Sequence, residues 1–396
     1  MIVLLGARGA AALLSAIWFL LASRALGPQA IGELALALSL SLVASIGAEF
    51  GTSAWLTAAV VDHPDSVRDT AAQVLRLRTQ AAIVGGALVV GAYLVASTGK
   101  DPVIPLLFCV SIVASPAYGV VHTVCRAIGA VWLEATTEVS SRALMVVAAM
   151  GLGDRLTLTI AAGLYAIVDL GSAVVHLWIL RRFPQSNGAA SPRVRWASLK
   201  TRGSMSLLLS ALQRLDVWVA ALFLGSHETG VFGATRRIAE GLSLPGQTVG
   251  AISMGTTARS AGPDRPTVLR RMVAVACGLT AVLAAPVAIF ANDFVRVLLG
   301  GEFSGSAGPL RALCLGAVAG AAVQVSMSVG TVLTPRRSLR TLLLAAPIVL
   351  AASAVGSMSG RATGTAFGAV IGMAVAAGIT SHQVEEDLAR SAAVER

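Results

Sequence analysis

The sequence predicts an all-α polytopic membrane protein, with about 12 transmembrane helices in two six-helix lobes related by a pseudo-two-fold axis along the membrane normal. Three observations predict it. Of 396 residues, 56% are apolar and only 13% charged, with a mean hydropathy of +0.78. Apolar runs of about 20 residues recur from end to end, the length that crosses ~30 Å of hydrocarbon. None is cut by the frequent turns of an outer-membrane barrel, so the backbone must satisfy its polar groups inside helices. A net charge of +10 would suggest nucleic acid in a soluble protein. Here the basic residues sit in short loops and inside spans, and no nucleic-acid-binding module is visible.

The first span, Met1 to Ala22, opens almost without a polar leader and carries Arg8. It reads as a retained helix rather than a cleaved signal peptide, because eleven more spans follow. These are expected at Ile31 to Ala58, Thr79 to Ala96, Val103 to Val124, Val131 to Met150, Leu156 to Leu180, Gly203 to Leu224, Thr229 to Met254, Met272 to Ala291, Pro309 to Leu333, Thr341 to Met358 and Ala362 to Thr380. With the N terminus in the cytoplasm, nineteen basic residues, Arg76 and Arg78 among them, fall on the inner side. Five fall outside: Arg24, Lys100, Arg155, Arg296 and Arg361. Basic loop residues are held on the cytoplasmic side. The expectation is therefore a multi-pass protein of the inner, cytoplasmic membrane with both termini in the cytoplasm.

The one long polar connection, Arg181 to Arg202, is rich in Pro, Gly, Ser and basic residues. It divides the chain into an N-terminal lobe (1–182), a cytoplasmic linker (183–202), a C-terminal lobe (203–380) and a cytoplasmic tail (381–396). A weak repeat supports two parallel copies: Leu26-Gly27 with Gly32 follows the first span, and Leu224-Gly225 with Gly230 follows the seventh. Pro116, Pro245, Pro286 and Pro347 fall inside spans, where each removes a backbone hydrogen bond and permits bending. Gly360, Gly364, Gly368 and Gly372 form a smooth ridge, expected to pack within the molecule.

Charge inside hydrocarbon costs at least ~2.5 kcal/mol per group, so it is kept only facing a wet cavity or a partner. The stretch Leu208 to Gly246 carries Arg214, Asp216, Arg236, Arg237 and Glu240. Folded as an antiparallel hairpin about Ser226 and His227, it sets Asp216 level with Arg236 and Arg237. Neighbouring helix positions diverge by about 100°, so at most one of the two arginines faces Asp216 squarely and the other is the better ligand candidate. An Arg236–Glu240 pair would leave Arg237 uncompensated on its own helix. The fifth span carries Glu134, Glu138 and Arg142 in one column, where Glu138 and Arg142 can pair. Glu49 lies in the second span and Asp169 and His176 in the sixth. Asp169, Asp216, Glu49 and Glu138 are the candidates for ion coupling.

Cys109, Cys125, Cys277 and Cys314 form no CxxC or Cys/His set and read as small core residues. The five histidines have no metal spacing, and no nucleotide loop, nucleophile elbow or pair of catalytic acids is present. The longest outer loop, Asn292 to Gly308, is too short to build a membrane-enzyme site. No enzyme activity, cofactor or metal is therefore expected.

Ser23 to Trp55 resembles the first-loop and second-helix pattern of the polysaccharide and O-antigen flippases, in the superfamily that also holds peptidoglycan lipid flippases and multidrug and toxin extrusion proteins. Asp216-Val217-Trp218-Val219, Leu224-Gly225 and the run from Gly230 to Ile238 are similar to that family's seventh and eighth helices. Leu299-Gly300-Gly301-Glu302-Phe303 also resembles it. Departures are Trp55 and Leu56, where relatives often carry an arginine, and Phe232 in place of a tyrosine. No further helix pair follows the twelfth, which favours the oligosaccharide branch.

The resemblance implies translocation of undecaprenyl-diphosphate-linked oligosaccharide from the cytoplasmic to the outer leaflet, by alternating access of two lobes around a cationic cavity, for polysaccharide biosynthesis. Guanidinium groups bind diphosphate oxygens with charge-assisted, often bidentate bonds, which makes Arg142, Arg214, Arg236 and Arg237 the candidate ligands. Implied partners are the lipid-linked oligosaccharide, membrane lipid, and polysaccharide polymerase and glycosyltransferases. Two alternatives stand beside this reading: a cation-coupled exporter of small molecules or drugs from the same superfamily, and a non-transporting membrane scaffold.

Overall fold

The computed structural model describes residues 2–96, 101–185, 194, 196–260 and 264–394, and among these every regular element is a helix. Among the described residues, eight helices are long and apolar enough to cross a membrane, nine if the bent pair Leu199–Leu212 and Leu215–Phe223 counts as one span. The protein is thus an all-α, multi-pass membrane protein. The expected spans are helical in their described residues except for breaks inside the second, seventh and eighth and short non-helical ends. Gly9–Asp62 takes in the first two as one segment, and the fifth and eighth, which carry the charges, are not among the eight. Two compact units form: Met1–Leu26 with Leu36–Leu207, and Gly27–Ala35 with Leu208–Arg396. Part of the expected linker, 186–193 and 195, lies outside the described residues, and helix resumes at Trp196, before the span expected from Gly203.

The first unit contains most of α1 (Ile2–Glu49), then α2 (Thr52–Asp62), α3 (Val67–Ala96), α4 (Val103–Ala127), α5 (Val131–Leu152), α6 (Leu158–Leu180) and the start of α7 (Trp196–Leu212). Its central helix is α4, packed on α3 and α6. Tyr165 meets Trp18 edge-on at a centroid distance of 4.8 Å and Phe108 at 5.6 Å, giving this core an aromatic centre. At Phe50 (φ 36°) and Gly51 (φ 73°) the chain turns left-handed and the helix breaks. Arg78, buried to 3% exposure, reaches that break from α3. It donates from Nε to Thr52 Oγ1 (2.6 Å) and from Nη2 to Ser53 Oγ (2.8 Å). The sequence places Arg78 on the inner side, in the connection just before the span expected from Thr79. It sits a full eleven positions into α3 and is a buried brace instead.

The second unit holds α8 (Leu215–Phe223), α9 (Ser226–Gly241), α10 (Leu244–Arg259), α11 (Arg265–Ile289), α12 (Ala291–Leu298), α13 (Ala307–Leu333), α14 (Pro335–Ser357) and α15 (Ala362–Val394). Helix α13 packs on α11 and α15, and α15 on α14. The glycine ridge makes the last contact close. A Cβ at Gly364 would stand 2.3 Å from the Gly356 carbonyl oxygen, and one at Gly368 would stand 2.2 Å from that of Ala352. Gly360 is not part of the ridge. It takes the left-handed turn ahead of α15 (φ 69°).

The residues expected to form a separate tail continue α15 as helix. Their acidic side chains clasp basic residues at the starts of two neighbours: Glu385 pairs with Arg270 of α11, and Asp387 pairs with Arg337 of α14 at 2.6 Å.

Residues 27–35 explain why a piece of α1 belongs to the second unit. Gly27 (φ 73°), followed by Pro28, bends α1 sharply, and the segment beyond it lies on α9. A Cβ on Gly230 would be 1.6 Å from the Pro28 carbonyl oxygen, and one on Gly32 would be 2.4 Å from that of Ser226. The two copies of the Leu-Gly repeat seen in the sequence therefore pack on each other, backbone to backbone.

Candidate functional site

The charged hairpin is assembled from broken helices. The seventh span stops at Leu212 and restarts as α8 at Leu215. Val217 N–H turns to the Arg214 carbonyl (3.1 Å) and to its neighbour Asp216 Oδ1 (2.9 Å), so the Gln213 carbonyl loses its helical donor. Arg236 replaces it from α9, donating from Nη2 to Gln213 O at 2.7 Å, while its Nε meets Asp216 Oδ2 at 2.9 Å. One guanidinium caps the break and neutralises the carboxylate beside it. The expected depth match of Asp216 with the arginines is therefore realised through Arg236.

The eighth span breaks as well. Pro245 lies at the start of α10 rather than inside a continuous helix, and Ser243 closes the end of α9 by donating from N (3.0 Å) and Oγ (2.7 Å) to the Glu240 carbonyl. This fixes Glu240 on the last turn of α9, with both carboxylate oxygens engaged. Oε1 bonds Arg214 Nη1, and Oε2 bonds Arg237 Nη1 at 2.9 Å. The sequence allows an Arg236–Glu240 pair, which would leave Arg237 uncompensated on its own helix. The three-residue spacing brings Arg237 onto Glu240 instead, and Arg236 turns to the opposite helix. Three guanidinium groups thus meet two carboxylates.

Arg214, Arg236 and Glu240 wall a cavity of about 160 Å³ in the second unit, with Asp216 and Arg237 behind its lining. Gln213, Arg214, Arg236, Glu240, Gln247 and Gln324 give it polar lining, and Gly316, Ala317 and Gly320 on α13 leave it room. Gln213 Nε2 donates to Gln324 Oε1 at 3.0 Å. The glutamines were missed in the sequence. A neutral amide carries no penalty large enough to stand out in an apolar run, and only the chain fold gathers three of them.

The remaining candidates lie in the first unit. Arg142 is half-buried, touches Met145 Sδ at 3.7 Å, and acts electrostatically on Asp169 and Tyr118. Asp169 accepts a hydrogen bond from Ser111 Oγ. Glu134 leaves the expected column to pair with Arg126 at 3.1 Å. Glu49 feels the charge of buried Arg78, and Glu138 is half-buried on α5. Sequence spacing gave no reason to join His122 and His176, yet α4 and α6 bring their Nε2 atoms to 3.0 Å. His176 Nδ1 donates to the Ser172 carbonyl at 2.7 Å, and Thr137 Oγ1 stands 3.1 Å from His122 Nε2. Among the described residues, no group of three or more His, Cys, Asp or Glu side chains could hold a metal.

No protein-family model and no curated protein matches the sequence. Solved structures match over nearly the whole length. An inward-facing multidrug-resistance transporter of the MATE family in the MOP superfamily aligns with a TM-score of 0.69 at 14% identity, over 96% of this chain and 95% of the other. The lipid II flippase MurJ, in an inward closed conformation, aligns with a TM-score of 0.71 at 8% identity, over 100% and 91%. The Vibrio cholerae MATE transporter VcmN in its bent form gives 0.53 at 16% identity, over 97% and 99%. At such identities the likeness is one of fold, and that fold is shared by a multidrug-resistance transporter and a lipid II flippase.

Proposed function

We propose that this protein is a flippase that carries a polyprenyl-diphosphate-linked oligosaccharide across the inner membrane by alternating access, both termini facing the cytoplasm. The observation that carries the reading is the cavity bounded by the two helix breaks, where Arg214 and Arg236 stand beside Gln213, Gln247 and Gln324. An anionic diphosphate cannot cross hydrocarbon bare, and guanidinium donors suit its oxygens. Amide side chains suit sugar hydroxyls, since each offers donors and an acceptor. A cation exporter would need carboxylates free to hold its substrate, and here Asp216 and Glu240 are both committed to arginines.

The fold shared with MurJ supports the same direction. Arg142 and Arg237 are the further candidate diphosphate ligands. Asp169 is the stronger ion-coupling candidate, because its bonded partner is the neutral Ser111 rather than an arginine. Asp216, Glu49 and Glu138 are the others. Polymerase and glycosyltransferases would act on the carried lipid before or after it crosses.

The test is binding of a fluorescent polyprenyl-diphosphate disaccharide to the purified full chain in nanodiscs. Saturable binding, displaced by inorganic diphosphate and weakened in Arg214→Gln, is the expected result. Absence of binding, or displacement by a cationic dye and not by diphosphate, overturns the reading.

A further inference from the structure

Glu240 occupies its position in a way that Asp216 does not. Asp216 is held by its own neighbour's backbone N–H and by Arg236, which is itself tied to the Gln213 carbonyl. That carboxylate is built into the helix break. Glu240 instead stands in the cavity wall with one oxygen on each of two guanidinium groups, Arg214 from the turn between α7 and α8 and Arg237 from α9. A carboxylate spanning two cations fills the donor positions that an incoming phosphoryl oxygen would use. It also sits on the last turn of α9, directly before Gly241 and the break to α10.

We propose that Glu240 is an internal stand-in for the anionic group of the substrate, and that loading the site is an exchange in which diphosphate oxygens replace this carboxylate between Arg214 and Arg237. The inference rests on the diphosphate reading above and adds a selectivity filter to it. A single phosphoryl group spans the two guanidinium groups no better than Glu240 already does. A polyvalent diphosphate offers both guanidinium groups several oxygens and a higher charge, so it wins the exchange. The released carboxylate then faces the cavity, where it can meet a hydroxyl of the attached sugar. Discharge reverses the exchange: Glu240 returns to the arginines and keeps the emptied site from holding its product.

An occupied site weakens apparent affinity in proportion to its occupancy. If the closed triad holds all but about one to ten per cent of the molecules, the apparent Kd for diphosphate lies roughly ten- to a hundredfold above its intrinsic value.

The experiment is calorimetric titration of inorganic diphosphate and of methyl phosphate into the purified full chain, comparing wild type, Glu240→Gln, Glu240→Asp and Arg214→Gln. Glu385→Gln, which alters an ion pair at the far end of α15, is the control. Glu240→Asp keeps the negative charge but is one methylene too short to span both guanidinium groups, so it tests the idea even if the neutral variant does not fold. The expected result is diphosphate binding roughly ten- to a hundredfold tighter in Glu240→Gln, a smaller gain in Glu240→Asp, and methyl phosphate binding that appears only in these two. Wild type that binds diphosphate and loses it in Arg214→Gln, with no gain in either Glu240 variant, overturns the exchange and leaves the flippase reading standing. Failure of every variant to bind diphosphate overturns both.

Discussion

In the second unit, each of the three arginines of the hairpin meets a carboxylate, whereas in the first unit Arg78 is gripped by the hydroxyls of Thr52 and Ser53 and Asp169 by the hydroxyl of Ser111. The two solutions cost different things to undo. A hydroxyl satisfies hydrogen-bonding geometry but leaves the charge uncancelled, so removing it forfeits about one hydrogen bond. A carboxylate cancels charge, so its removal strands an uncompensated ion in a dry place. The hairpin is accordingly the more fragile of the two and the better suited to exchanging partners.

Breaking the ion pair gives the largest expected effect. Asp216→Ala leaves Arg236 without its carboxylate and is expected to cost ~3 to 5 kcal/mol of stability, read as a loss of protein in the membrane and a lower unfolding temperature. Adding Arg236→Met should return much of that loss, because an emptied pair is less costly than half a pair. The remainder, ~1 to 3 kcal/mol, reports the uncapped Gln213 carbonyl. A double mutant as unstable as Asp216→Ala alone would mean that the pair does not set the cost.

A second comparison, between the two halves of the Leu-Gly repeat, sharpens the role of close packing. Gly230→Ala must push against the Pro28 backbone and is expected to cost ~1 to 3 kcal/mol. Gly225 has open space around it and an ordinary φ of −68°. Gly225→Ala should therefore shift stability by no more than ~0.5 kcal/mol. Equal unfolding temperatures for the two variants would refute the backbone contact.

The smallest stability effect is expected in the first unit. Asp169→Asn keeps an oxygen for Ser111 to bond and should change stability by less than ~1 kcal/mol. Its consequence should be functional: transport into inverted vesicles loses its dependence on the proton gradient. Full gradient dependence in a well-expressed Asp169→Asn protein removes Asp169 from the coupling proposal.

These contrasts also show how much the sequence reveals. Span positions are legible because twenty-residue apolar runs have few other uses, and the glycine ridge is legible because its four-residue period matches a helix face. Charges inside spans stand out by their cost, which is why Asp216, Arg236, Arg237 and Glu240 could be singled out before any coordinates. Their pairing could not be read so far. Periodicity allows Glu240 to meet Arg236 or Arg237, and the choice falls to Arg237 because the break at Gln213 offers Arg236 a bare carbonyl on another helix. Arg78 was misread for a related reason: a basic residue next to an apolar run looks like a flank until α3 proves to begin at Val67. His122 and His176, fifty-four positions apart, meet through the packing of α4 on α6, which no local pattern encodes.

The inlay of residues 27–35 in the second unit has a consequence for biogenesis. As the ribosome makes the chain, this segment emerges among the first spans, but the α9 surface that covers it, from Ser226 to Gly233, is made roughly two hundred residues later. At ~5 to 20 residues per second, the Gly32 face waits on the order of 10 to 40 seconds for its partner. Until then the first lobe carries an uncovered small-residue face that a neighbouring copy or another nascent helix could occupy. The chain closes a long loop to finish its second unit, which makes that unit's completion the late and chaperone-sensitive step of insertion.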